Sequence, residues 1–146
     1  MKFSKLLSAF AIAAALYFAP SVSQAQMKTD LRAGAFGKQS SIFIGGGLRM
    51  GIGNSLYLNP MINYAFTNPG TIFFDLDGHF DFPVSAVHLY AGPGLGVYVY
   101  DGGTTAQLNL LVGVGFDVSG YELYIQPKFA VAGGSRFLQV GLGARF

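Results

Sequence analysis

The sequence predicts an all-β chain, an eight-stranded antiparallel up-and-down β-barrel behind a cleaved signal peptide. Three observations predict it. An apolar run opens the chain, apolar residues then alternate with polar or minimal ones, and seven short turn-forming stretches interrupt that alternation. Composition agrees. Only 11% of the 146 residues are charged, against about 25% in an ordinary globular chain, while 51% are apolar, 21 are glycine and none is cysteine. Such a chain is neither a disordered tail nor a disulfide-stapled scaffold, and it does not bind nucleic acid through a basic surface. The net charge of +2 includes Lys2 and Lys5; beyond Ala25, basic and acidic residues balance, so no charged polymer is implied as a partner.

Residues 1–25 have the three zones of a secretory signal peptide. Two lysines precede an apolar run from Leu6 to Phe18, and a small, polar stretch ends in Ser23-Gln24-Ala25. A membrane-spanning helix needs about 20 apolar residues, and Pro20 interrupts this shorter run. Cleavage after Ala25 leaves one domain, residues 26–146.

No window after Ala25 repeats at helical spacing. Strands are predicted at 29–37, 41–52, 55–67, 71–83, 86–100, 104–118, 121–132 and 136–146. The last three show the period most plainly. Leu108, Leu110, Val112, Val114, Phe116 and Val118 share one face; so do Tyr121, Leu123, Ile125, Pro127, Phe129 and Val131; so do Leu138, Val140, Leu142, Ala144 and Phe146. Gly53-Asn54, Pro83–Ser85 and Ser119-Gly120 make the tight links. Gly37–Ser40, Asn68–Gly70, Asp101–Gly103 and Gly133–Ser135 make links as long or slightly longer, giving a meander in which every strand pairs with the next.

Such a meander closes with its apolar face either inward or outward. From Leu56 to Phe146 the apolar face is read as free of Lys, Arg, Asp and Glu, while the opposite face carries Gly45, Gly47, Gly92, Gly94, Gly96, Gly113, Gly115, Gly141 and Gly143. Glycine has little use on a wet strand face, but small residues fit inside an eight-stranded cylinder. The apolar face is therefore expected to meet lipid, with a mid-bilayer Arg or Lys there costing about 2–4 kcal/mol. Phe80, Phe82, Phe116, Tyr121 and Phe146 gather toward one rim of that face, and Tyr64, Phe66 and Phe74 toward the other, like interfacial girdles. The strands are long enough to cross a bilayer when tilted.

With its signal peptide, eight alternating segments and last strand Leu138–Phe146, the chain resembles the small bacterial outer-membrane barrels of the OmpA/OmpX type. The resemblance implies a transmembrane barrel in the bacterial outer membrane, in contact with lipid and inserted by the barrel-assembly machinery. It also implies that the terminal aromatic, Phe146, acts as the assembly signal. The connections here are shorter than the protruding loops of the OmpX type.

Candidate chemistry is sparse. His79 and His88 are placed on the inward face, where hydrogen bonding suits them better than a metal site lacking further ligands. Asp75, Asp77, His79 and Asp81 alternate on one strand and point inward. Outer-membrane deacylases use a His and a Ser two apart facing lipid, whereas His79 is followed two on by Asp81 and His88 by Tyr90. The chain is expected not to be an enzyme and to need no cofactor. Gly34–Gln39 and Gly92–Gly96 lack the context of a phosphate loop.

The inward face instead suggests a plug of ion pairs made by Arg32, Arg49, Asp77, Asp81, Asp117, Glu122, Lys128 and Arg145. Arg32, Arg49 and Arg145 are placed near the end holding the termini, level with Asp81, Asp117 and Glu122, while Asp77 and Lys128 lie nearer the middle. Uncompensated buried ions cost several kcal/mol, so the charges should pair. The expected function is that of a monomeric structural or porin-like outer-membrane component. A surface recognition protein acting through its loops is the second reading, and a periplasmic lipocalin-like carrier the third.

Overall fold

The computed structural model describes residues 27–37 and 41–146; the signal peptide, its cleavage point and Lys38–Ser40 of the first turn lie outside the described residues. Eight strands follow one another: β1 (Met27–Phe36), β2 (Ser41–Gly51), β3 (Leu56–Ala65), β4 (Thr71–Val84), β5 (Val87–Tyr100), β6 (Gly103–Val118), β7 (Tyr121–Ala132) and β8 (Ser135–Arg145). Each pairs antiparallel with the next, and β8 pairs with β1 to close the barrel. Closure leaves no strand edge, so the backbone amides are satisfied within the wall.

The stagger of the wall can be followed residue by residue. Paired positions lead from Met27 through Met50 and Leu58 to Gly78, and from Pro93 opposite it through Leu110 and Phe129 to Leu138, whose carbonyl accepts the Gly37 amide. The circuit thus returns to β1 ten positions beyond its start. Tilt of this kind gives an eight-stranded barrel a bore just wide enough for side chains to fill.

Connections are short at both ends. At the end holding the chain termini they are 52–55, 85–86 and 119–120; at the other, the loop end, the fully described ones are 66–70, 101–102 and 133–134. The loop end therefore carries hardly longer connections than the other, because pairing persists through Gly103 and Ser135. Both central residues have positive φ in Ser119-Gly120 (50° and 87°) and in Gly133-Gly134 (54° and 81°). That is the type I′ hairpin geometry whose twist matches the flanking strands.

Alternation sorts the side chains. Ile44, Leu95, Leu108, Leu110, Val112 and Leu142 point out and are exposed, whereas Asp30, Asp77, Glu122 and Arg145 point in and are buried. One charge departs from the apolar face as the sequence was read: Arg136, second residue of β8, shares the parity of Leu138 and is exposed at the loop rim. Large side chains fill the space above inward glycines. A Cβ at Gly113 would lie 2.1 Å from Tyr90 Cζ, one at Gly143 2.3 Å from Tyr124 Cζ, and one at Gly94 2.0 Å from an Asp77 oxygen.

Three prolines interrupt the wall in a regular way. Opposite Pro60, Pro93 and Pro127, pairing with the preceding strand skips two positions. The gaps fall between Gly47↔Met61 and Met50↔Leu58, between Asp77↔Gly94 and Phe80↔Ala91, and between Leu111↔Lys128 and Val114↔Ile125. Proline has no N–H to offer the ladder. At the first gap a side chain substitutes: Asn59 Nδ2 donates to the Leu48 carbonyl at 2.7 Å.

Candidate functional site

Among the described residues, the bore is where charged and polar side chains gather, and it is layered. Nearest the termini, His88 on β5 contacts two carboxylates, Asp117 on β6 at 2.7 Å and Asp81 on β4 at 3.3 Å. Just inside, Arg49 meets Asp81 at 2.9 Å and Glu122 at 3.4 Å, its guanidinium 3.7 Å from the centre of the Tyr57 ring. Arg145 joins Glu122 at 2.6 Å to Asp30 at 2.9 Å and packs over the rings of Tyr124 and Tyr90. Guanidinium suits this position because its fixed fork of donors can serve two carboxylates while its flat face stacks on aromatic rings.

The middle layer is built around Asp75. One of its oxygens accepts from Lys128, Arg32 and Asn63, each at 3.1 Å, and the other from Gln107 and Asn109 at 3.2 Å. Lys128 also reaches Asp77 at 2.5 Å. Toward the loops the bore turns apolar. Phe73 and Tyr98 pack at 4.3 Å between ring centres, Phe36 packs at 4.9 Å from Phe73 and 5.0 Å from Phe137, and Phe43 and Ala65 complete the cluster.

Arg32, Arg49, Asp77, Asp81, Glu122, Lys128 and Arg145 are all buried inside the bore. Two placements need correction. Asp117 keeps the inward parity, but its side chain is 47% exposed, because β6 ends one residue later and the carboxylate has already left the bore. Arg32 sits at mid-height beside Asp75 rather than level with Arg49, because the stagger raises β1 relative to β4. Two carboxylates join the eight residues of the expected plug: Asp75, already read as pointing inward on β4, and Asp30, which the sequence reading did not single out. Counting both, five buried carboxylates meet four buried cations. At the rim Lys28 reaches Glu122 at 3.7 Å, and the His88 ring lies between Asp81 and Asp117.

A sequence signal for part of this site went unread. Leu-Tyr-x-x-Pro occurs at Leu56, Leu89 and Leu123, its tyrosines 33 and 34 residues apart, one copy in each of β3, β5 and β7. In every copy the tyrosine points into the bore and contacts an arginine, and the proline marks one of the ladder gaps. The motif marks the arginine-binding layer. Phe146 lies at the other side of the wall. Its backbone pairs with Thr29 through both N–H and C=O, and its ring, half exposed on the outer surface, lies 6.1 Å from that of Tyr121.

No model of a protein family matches the chain, and no curated protein sequence matches it either. Solved structures do. Neisserial surface protein A aligns with a TM-score of 0.67 at 18% identity, over 82% of this chain and 94% of its own. The N-terminal β-barrel domain of Pseudomonas aeruginosa OprF aligns at 0.65 and 15% identity, over 83% and 98%. The outer-membrane enzyme PagL aligns at 0.62 and 13% identity, over 82% and 98%. The fold is that of the eight-stranded outer-membrane barrels.

Proposed function

We propose that the chain is an integral protein of the bacterial outer membrane whose working part is the barrel itself, a structural or porin-like wall component with a bore closed by its own side chains. The observation that carries this reading is the inversion of the usual burial pattern. Arg145, Lys128, Glu122 and Asp77 are at most 1% exposed, whereas Leu108, Leu110, Leu95 and Leu142 are each about 60% exposed. In water such an apolar belt would drive aggregation; in hydrocarbon it is the favourable surface. A carrier of the lipocalin kind would need an apolar cavity where this bore holds ion pairs. A recognition role would rest on connections of two to five residues, which offer little surface. We read the barrel as a monomer; its closure leaves no strand edge by which a second copy could extend the sheet, which supports that reading.

Cell fractionation combined with gel mobility tests the reading. The folded protein is expected in the outer-membrane fraction, migrating differently before and after boiling. Recovery as a soluble periplasmic protein would overturn it.

A further inference from the structure

Buried polar atoms without partners are not scattered evenly through the bore. Among the described residues, nine buried side-chain nitrogen or oxygen atoms lack a hydrogen-bond partner. Five of them belong to β2–β4 toward the terminal end: Arg49 Nε, Asn59 Oδ1, both ring nitrogens of His79 and Asp81 Oδ1. His79 is the extreme case. It is fully buried, its ring stacks 4.8 Å from that of Tyr90, and neither nitrogen has a hydrogen-bond partner in the protein. Its neighbours in register are Tyr57 across β3 and, across β5, one of the ladder gaps. A buried imidazole or guanidinium nitrogen left without any partner is costly, and such groups in native proteins are ordinarily satisfied by ordered water.

The two ends of the bore differ in what they let through. At the terminal end the layer above this cluster is polar and partly wet, with His88 side chain 20% and Lys28 41% exposed. At the loop end the bore is sealed by Phe43, Phe73, Tyr98 and Ala65, none more than 7% exposed.

We propose that the terminal half of the bore is a water-binding chamber centred on His79, bounded by Arg49, Asn59 and Asp81, and that it opens only toward the chain termini. The occupant is water, held by two to four polar contacts per molecule as buried waters are. The barrel is then a one-ended vestibule: water and protons reach His79 from the side of the termini, and the aromatic cluster stops them short of the loops. This rests on the membrane-barrel reading above.

The chain has no cysteine, so single cysteines report without background. Asn59→Cys and Ala65→Cys lie on the same strand, six residues apart, both fully buried and both facing the bore. Each variant is folded in detergent, shown to be heat-modifiable, exposed to methyl methanethiosulfonate, and then unfolded to count the thiols left. Asn59→Cys is expected to react at least tenfold faster than Ala65→Cys. Equally slow reaction at both sites would mean a dry interior, and equally fast reaction a bore open throughout; either overturns the proposal. In the unaltered protein, magnetisation transfer from water to the His79 ring protons is expected, and its absence overturns the proposal even if Asn59→Cys does not fold. Loss of heat-modifiability in the unaltered protein would instead count against the barrel reading.

Discussion

Replacing Arg145 with methionine removes the centre of the lower ionic layer while keeping most of the side-chain stem. Asp30 would keep the Tyr124 hydroxyl at 2.5 Å and Asn59 at 3.3 Å; Glu122 would keep Arg49 at 3.4 Å and Lys28 at 3.7 Å. Two buried carboxylates thus lose their shortest cationic contacts without being wholly stranded. Breaking a buried ion pair by removing one partner costs about 3–5 kcal/mol, and the surviving contacts place Arg145→Met toward the lower end. At about 1.4 kcal/mol per tenfold, even 3 kcal/mol shifts the folding equilibrium by roughly two orders of magnitude. Urea titration in lipid vesicles, read by gel mobility, measures it as a lowered midpoint with an unchanged slope. Adding Asp30→Asn and Glu122→Gln removes the stranded charges and should recover most of the loss, since a buried pair replaced as a whole is often neutral. A loss below about 1 kcal/mol for Arg145→Met, or no recovery in the triple variant, would show that these charges are solvated separately.

Three further outcomes follow from the same geometry. Deleting Phe146, or changing it to Asp, should lower the amount of assembled barrel while leaving export intact, measured by heat-modifiable band intensity in membrane fractions: deletion removes the backbone N–H and C=O that pair with Thr29 at the closing seam, and Asp keeps them but puts a charge where the outward ring stood. The unaltered protein should show no large, stable conductance in planar bilayers, and neither should Arg49→Ala, because the aromatic cluster still closes the loop end; Arg49→Ala, which takes an ion pair from Asp81 and another from Glu122, should instead lower the unfolding midpoint. Leu110→Arg, at the middle of β6 and 62% exposed, should cost about 2–4 kcal/mol in vesicle unfolding and far less in detergent, where the micelle can adapt around the charge.

The strands and their faces were legible because a period of two leaves little freedom. Once Leu138, Val140 and Leu142 share a face, Gln139, Gly141 and Arg145 must share the other. Height was less legible. Parity says that Arg32 points inward but not which carboxylate it meets, because that depends on a stagger accumulated over eight strand pairs. Asp117 shows the same limit at a strand end, where inward parity no longer means burial. The aromatic seal was hidden for a different reason. Phe36, Phe43, Phe73, Tyr98 and Phe137 each interrupt the polar parity of a different strand, and only closure of the barrel brings them together.

That seal also gives the molecule a built-in optical reporter. The chain has no tryptophan, so its near-ultraviolet circular dichroism comes from tyrosine and phenylalanine alone. Rings held 4.3–5.3 Å apart at fixed tilts, as Phe73, Tyr98, Phe36 and Phe137 are, couple their transitions strongly, whereas rings turning freely in lipid or solvent contribute little. The near-ultraviolet band therefore follows the order of the rings packed inside the bore, the loop-end cluster together with Tyr90 and Tyr124, while the far-ultraviolet band follows the backbone ladder of the whole wall. Loss of the first at a lower temperature than the second would mark the side-chain packing of the bore as less stable than the wall that encloses it.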